Sequence, residues 1–298
     1  MSTAHATQSS SALSLCDLNE ADSRRFVQLL GSIVEHSPWV TEAIAQMRPF
    51  ASVDALWTAI VGALSGLATA HLDDLFRLHP ELAGAEAVAG RMTDHSTSEQ
   101  GRLGLTALER AEFERLARWN ATYRERFGFP CIIALRLHPT RASVFETFES
   151  RLTNDVAIER VNNLREIGQV VRGRLYTMLR PVGWLSTHVL DTAHGQPAAG
   201  LRIDLSERLA TGVRPLGSVI TNADGRTDER LLDGAAMMPG RYRLEFFVAD
   251  YFQRAGSEQA DPPFLDIVPI DFAISDPNLH YHVPLLCTPW SYSTYRGS

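Results

Sequence analysis

Long apolar runs are missing: no stretch of about twenty consecutive apolar residues occurs in the 298-residue chain, so the sequence offers no membrane-spanning helix. The polar start, Met1 to Ser11, lacks the basic and apolar regions of a signal peptide. Basic residues are in deficit, 28 Lys and Arg against 35 Asp and Glu for a formal charge of −7. The broad basic surface that a phosphate backbone needs is therefore absent, and nucleic acid is not an expected partner. Cysteine is scarce. Cys16, Cys131 and Cys287 are odd in number and far apart, without the spacings that build zinc or disulfide frameworks, and read as reduced thiols. No internal repeat is present, and the only biased tract is the Ser-rich beginning. These absences point to a cytoplasmic protein that acts on small molecules, without a membrane partner.

What is present suits a folded chain of two domains. The length exceeds the usual size of one compact domain. Apolar residues make up 45% and charged residues 21%, ordinary values for a globular protein. From Leu18 to about Leu179 apolar residues recur at helical spacing in a segment rich in Ala, Leu, Glu and Arg. Between Thr106 and Phe127, the residues Phe113, Leu116, Tyr123 and Phe127 share one side of a helical wheel. Between Asp155 and Leu179, Val161, Leu164, Ile167, Val171, Leu175 and Met178 form one stripe, with Arg174 at its margin, where a charge can enter a cleft. Pro181 and Gly183 should end this helix. After Trp184 the period becomes two: Leu201, Ile203 and Leu205 alternate with polar residues, as do Tyr242, Leu244, Phe246 and Val248. Turn signals at 194–196, 222–225 and 239–240 have the spacing of a sandwich of short antiparallel strands. The fold class expected is multidomain, with an all-α N-terminal domain and an all-β C-terminal sandwich. The boundaries expected are a flexible start at 1–14, helices over 15–180 and strands over 184–298.

Chemistry-bearing residues occur in both halves. On a strand from Leu279 to Leu286, His280 and His282 share one face and Tyr281, Val283 and Leu285 the other. His188 lies on a separate strand, and Arg226 follows the turn Asn222 to Gly225. Pattern alone cannot bring these together, and three histidines could equally decorate a surface or hold zinc. The motifs Ser186-Thr187-His188-Val189-Leu190-Asp191-Thr192, Gly225-Arg226, His280-Tyr281-His282-Val283-Pro284-Leu285-Leu286 and the end Tyr292 to Ser298 resemble 5-hydroxyisourate hydrolase, the enzymatic relative of transthyretin, from about Trp184 onward. Departures at Cys287, Thr288 and Trp290 flank the motif. The resemblance implies a transthyretin-like sandwich whose homotetramer forms active sites at subunit interfaces. His188, Arg226 and His282 would be catalytic there, with Tyr295, Arg296, Gly297 and Ser298 lining the substrate site.

In the helical half, His79 in His79-Pro80-Glu81-Leu82-Ala83-Gly84, Glu99 and Gln100 after Ser96-Thr97-Ser98, and Phe127-Gly128-Phe129-Pro130 each have a dull explanation alone: an exposed loop, a helix-start charge, ordinary core. Together with His36-Ser37-Pro38-Trp39, Asn120, Tyr123, Arg151, Asn154 and Glu159 they resemble 2-oxo-4-hydroxy-4-carboxy-5-ureidoimidazoline (OHCU) decarboxylase, from about Leu15 to Leu179. That family implies an all-helical, usually dimeric fold using neither metal nor organic cofactor. By carry-over His79 is the catalytic residue that handles the proton, and Ser96 to Gln100 bind the ureido and ring groups of the substrate, with the catalytic Glu99 as the key polar partner. Pro80, Ser96 and Gln100, and the backbone of Cys131, Ile132, Ile133, Ala134 and Leu135, would bind substrate. Arg174 is added as the anchor for a substrate anion, with Arg151 as the runner-up. Cys131 stands where relatives often carry Phe. The two resemblances imply consecutive steps of urate catabolism: hydrolysis of 5-hydroxyisourate to OHCU, then decarboxylation to (S)-allantoin. The competing readings are a transthyretin-like binding protein, and a hydrolase with an inactive decarboxylase-like domain.

Overall fold

The computed structural model describes residues 13–84 and 99–297. Ser96, Ser298 and nearly all of the start expected to be flexible lie outside the described residues. Helices come first: α1 (Leu15–Glu20), α2 (Ser23–Leu30), α3 (Trp39–Ile44), α4 (Val53–Ser65), α5 (Thr69–Arg77), α6 (Arg110–Phe127), α7 (Arg141–Arg151) and α8 (Val156–Leu179). Their limits follow local chemistry. The Ser52 hydroxyl and the Asp155 carboxylate accept the free amides of Ala55 and Ile158 at the starts of α4 and α8, at 3.0 and 2.9 Å. Gly128, at φ +81°, ends α6 in the left-handed conformation.

The long helix α8 is the centre of this half and buries Ile167, Val171 and Leu175. Trp57 of α4 donates to the Gly168 carbonyl at 2.7 Å, and a Cβ on Gly168 would press on Val61 at 3.3 Å, so glycine allows the close crossing. Two expected core positions are corrected. Val161 is 68% exposed and Phe113 39%. The inward face of the first turns of α8 is polar instead: Glu159 and Asn163 are fully buried, and Val161, midway between them, must point away. Phe113 stands one turn before Leu116, where α6 begins to clear the core.

Those buried polar groups clamp Arg151, which donates to Glu159 at 2.8 Å, to Asn163 at 2.8 Å and to the Ile132 carbonyl at 2.6 Å. Tyr123 also bonds Glu159. Asn163 accepts from the Ile132 amide and Glu166 from the Ala134 amide, both at 2.9 Å, so the extended segment 130–134 is fastened to α8. Arg151, the runner-up anchor considered from sequence, thus has its guanidinium engaged within the protein. Replacing Arg151 by Leu should destabilise the helical half by about 3–5 kcal/mol, because the Glu159 carboxylate is left buried without its cation. Urea titration followed by far-ultraviolet circular dichroism measures this, and an unchanged midpoint would contradict the clamp.

The second half carries β1 (Trp184–Ser186), β2 (Val189–Asp191), β3 (Gln196–Pro197), β4 (Arg202–Leu209), β5 (Gly212–Ile220), β6 (Leu232–Asp233), β7 (Gly240–Phe247), β8 (Ile267–Ile274), β9 (His280–His282), β10 (Leu285–Cys287) and β11 (Tyr292–Thr294). The sheet β5-β4-β7-β8 is antiparallel throughout. Opposite it run β6-β1-β9 and β11-β10-β2-β3, enclosing a core of Leu185, Ile203, Leu244, Phe246 and Leu285. Three expectations are corrected here. The pairs β1·β9 and β2·β10 are parallel. The strand drawn from Leu279 to Leu286 is interrupted at Val283 and Pro284, where proline has no amide to give the ladder. Val248 opens a short helix, α9 (Val248–Arg254), whose buried Val248, Tyr251 and Phe252 recur at helical spacing.

Arg180, at φ +36°, and Pro181 terminate α8. Gly183 serves close approach rather than capping: a Cβ there would lie 2.3 Å from the Leu279 carbonyl. The halves also meet beyond this junction. Arg214 of β5 donates to the Arg136 carbonyl at 2.8 Å, Thr211 bonds the Leu137 carbonyl, and Met238 packs against the helical core. Among the described residues no single helix is long and apolar enough to cross a membrane.

Candidate active sites

In the sandwich, strand alternation assembles the first site. Leu185, Thr187 and Val189 turn inward, so Ser186 and His188 share the outer face. The parallel register sets Trp184 beside His280 and Ser186 beside His282. The Ser186 hydroxyl bridges the two rings, 2.8 Å from His280 Nε2 and 3.0 Å from His282 Nδ1. That bridge fixes the His282 ring through Nδ1 and turns Nε2 outward.

Arg226 arrives by a different route. Asn222 Oδ1 accepts the amides of Asp224 and Arg226 at 3.0 and 3.1 Å, folding the turn back. Gly225, at φ +69°, gives its carbonyl to the Val189 amide at 2.8 Å, and a Cβ there would meet the Val189 carbonyl at 2.3 Å. Only glycine fits, and the residue after it is thereby bridged to His188. The exposed Arg226 makes no ion pair among the described residues. Burial, followed by the nearby Arg226 cation, lowers the pKa of both His188 and His282 below the ordinary imidazole value. Both effects favour the neutral ring.

The C-terminal residues divide. Gly297 pairs with His282, donating its amide to the His282 carbonyl at 2.9 Å, and a Cβ at 297 would strike the imidazole at 2.7 Å. Arg296 stacks instead over Tyr281, 4.9 Å from the ring centroid, and Tyr295 is exposed. Sequence reasoning gave no role to Trp184 and Arg230. Trp184 stacks on His280 at 4.5 Å, and Arg230 lies 4.4 Å over the Trp184 ring. Period-two alternation from His188 back to Ser186 and Trp184 carries the only sequence signal for this wall.

The second site lies among the helices. His79 follows the end of α5 and reaches back to the Leu75 carbonyl, Nδ1 to O at 3.1 Å. A carbonyl only accepts, so Nδ1 carries the hydrogen and Nε2 is the basic atom. Burial pushes the pKa of this imidazole down to about 4, against the opposing influence of the Leu75 bond and of Glu35. Arg174 is not at a margin, as the helical wheel suggested, but almost fully buried. It donates to both oxygens of Glu99, at 3.1 and 3.2 Å, and to Glu35 at 2.9 Å. The charges of Glu35 and Arg174 both act on His79, so residues as far as 95 positions apart in the chain, His79 and Arg174, share one electrostatic environment. Desolvation works against the guanidinium, yet Glu99 and Glu35 together hold its pKa above the usual arginine value.

Glu35 is the member that sequence reasoning missed. It immediately precedes the quoted His36 to Trp39 motif, and an ionisable residue among Ile33, Val34 and Val40 was the available sign. Gln100 holds the loop that carries His79 and Pro80, accepting the Ala83 amide at 2.9 Å and donating to the Glu81 carbonyl at 3.3 Å. Of the expected backbone donors from Cys131 to Leu135, the amides of Ile132 and Ala134 are already bonded to α8. The buried Cys131 thiol lies with Tyr123 and Arg151 in the clamp described above, and burial pushes its pKa up to about 12. A buried thiol of this kind is unreactive.

Known proteins divide along the same line. Residues 19–176 match the family described as OHCU decarboxylase, and residues 185–297 the HIUase/Transthyretin family. The chain is 53% identical over 114 residues to 5-hydroxyisourate hydrolase of Deinococcus radiodurans, covering 38% of this chain and 95% of that one. It is 34% identical over 162 residues to 2-oxo-4-hydroxy-4-carboxy-5-ureidoimidazoline decarboxylase of Xenopus laevis, covering 53% and 92%. A crystal structure of (S)-allantoin synthase aligns over 96% of this chain and 100% of its own, with 31% identity and a TM-score of 0.58.

Proposed function

Because the chain belongs to the OHCU decarboxylase family in its helical half and to the HIUase/transthyretin family in its sandwich, we propose that its two clusters perform consecutive steps from 5-hydroxyisourate to (S)-allantoin. The chain is a bifunctional enzyme of urate catabolism, a hydrolase fused to a decarboxylase. Opening a ring amide needs a water stripped of its proton and a cation where negative charge develops. The neutral rings of His188 and His282 take the proton of water and pass it to the leaving nitrogen. Arg226 presents a planar, permanent cation to the substrate's oxygens. Gly297 holds the wall against His282.

The product of this step is an acid whose carboxyl group sits beside a carbon–nitrogen double bond. As carbon dioxide leaves, the bonding electrons flow into that double bond, and one proton must reach one face of the ring. His79 Nε2 takes a proton from the substrate and returns it to the carbon skeleton, while Glu99 and Arg174 fix the polar groups around it. Protonation from one side gives a single enantiomer. The observation that carries the reading is that each half holds imidazoles whose pKa is lowered in the company of an arginine, His188 and His282 with Arg226, and His79 with Arg174.

The transthyretin-like fold goes with oligomer formation. Our reading includes a homotetramer in which a second copy covers the histidine face, supported by the exposed aromatic residues Trp290, Tyr292 and Tyr295 of the C-terminal stretch. The test generates 5-hydroxyisourate from urate with urate oxidase and follows absorbance and circular dichroism after the protein is added. Rapid growth of the (S)-allantoin signal is expected. Racemic product formed at the uncatalysed rate would refute the decarboxylase reading, and a persistent first intermediate would refute the hydrolase reading.

A further inference from the structure

A cavity of about 460 Å³ opens between the halves, within the roughly 300–1,000 Å³ span of ordinary ligand pockets. Its floor is the Glu99–Arg174 pair of the decarboxylase cluster, and its walls carry Arg102 and Arg136 from the helical half and Arg214 and Met238 from the sandwich. Three guanidiniums beyond Arg174 thus face one space. Arg214 pairs with Glu207, whereas Arg102 donates only to the carbonyls of Leu135 and His138 among the described residues. The Nε of Arg214 is buried and makes no hydrogen bond among the described residues. Burial, with the neighbouring guanidiniums adding to it, lowers the pKa of Arg102 and Arg136 below the usual arginine value, Glu207 opposing the shift. Among the described residues the lining carries four guanidiniums, Arg102, Arg136, Arg174 and Arg214, against the one carboxylate of Glu99.

We propose that this interdomain cavity is an anion-receiving vestibule of the decarboxylase, in which Arg214, supplied by the sandwich, and Arg102 and Arg136 capture the carboxylate of the ring acid before it reaches Arg174 and His79. The inference rests on the decarboxylase reading given above and adds to it a substrate-capture role for the hydrolase half. A row of cations at a partly enclosed entrance raises the capture rate of an anion, and the gain fades as salt screens it. The carboxylate is the charge lost in the reaction, so the vestibule favours substrate over the neutral product.

The experiment uses the full chain with OHCU made in place from 5-hydroxyisourate by an excess of a separate hydrolase, so that only decarboxylation limits the rate. R214Q should lower kcat/KM for decarboxylation about 5- to 10-fold at low salt through KM, with kcat within about two-fold. The salt dependence of kcat/KM should flatten, and R214K should restore most of both. Hydrolysis of 5-hydroxyisourate by R214Q should match the parent. If losing the partner of Glu207 prevents R214Q from folding, R102Q decides, since Arg102 has no carboxylate partner among the described residues. An unchanged KM and salt slope in R102Q and in folded R214Q would overturn the vestibule alone. A parent that does not decarboxylate would overturn the underlying reading instead.

Discussion

His79→Asn should abolish stereospecific decarboxylation while leaving hydrolysis at the parental rate. The variant keeps a polar side chain of similar reach but has no basic nitrogen to exchange a proton with the substrate. General acid–base assistance of this kind is worth about 10²- to 10⁴-fold, and kcat should fall by that amount. In the coupled assay 5-hydroxyisourate would vanish at the normal rate, the ring acid would accumulate, and the (S)-allantoin signal would grow only slowly. A His79→Asn protein with parental kcat would remove the imidazole from the mechanism. The pH profile adds a second check. With its pKa pushed down to about 4, His79 stays neutral across the physiological range. Decarboxylation should therefore hold steady as pH falls from 8 to about 6, with no His79 step near the ordinary imidazole value of about 6.5.

His282→Ala should give the mirror image, a loss of about 10²- to 10⁴-fold in hydrolysis with decarboxylation intact. The ring is held by Ser186 on one nitrogen and packed against Gly297, so its outward nitrogen is presented in a fixed direction. The sign of the pH dependence is set by its lowered pKa. The neutral form is the base, so activity is present above that pKa and is lost as pH falls through it. The descending limb should lie on the acid side of the usual imidazole value. A rate that rose on acidification would mean that the protonated ring is the working form and would overturn the assignment. Because the two clusters occupy different halves, the His79 and His282 variants should complement each other when mixed, each completing the step its partner lacks.

The halves were readable because hydrophobic period is a local property: 3.6 before Leu179, two after Trp184. Val161 and Phe113 misled for the same reason, since a wheel reports a stripe but not where the facing core ends. Val248 continued an alternating run, yet the chain turned helical there to bury Tyr251 and Phe252 with it. The pairing of His280 and His282 on one face followed from alternation, and the motifs carried the family resemblance. Glu35 could not be recognised as the partner of Arg174, because the charge-pairing partner of a buried ion lies 139 residues away.

The sequence by itself determined the helical and the stranded half, the joint near Pro181 and the kinds of side chain each reaction needs, because period, turn residues and motif spacing act over a few residues. Only the tertiary structure decided which charges face each other. It buried Arg174 between two carboxylates, spent Arg151 on Glu159, and swung Arg214 of the sandwich over the decarboxylase floor. Ion pairing and desolvation depend on distance in space, and sequence separation carries no measure of that.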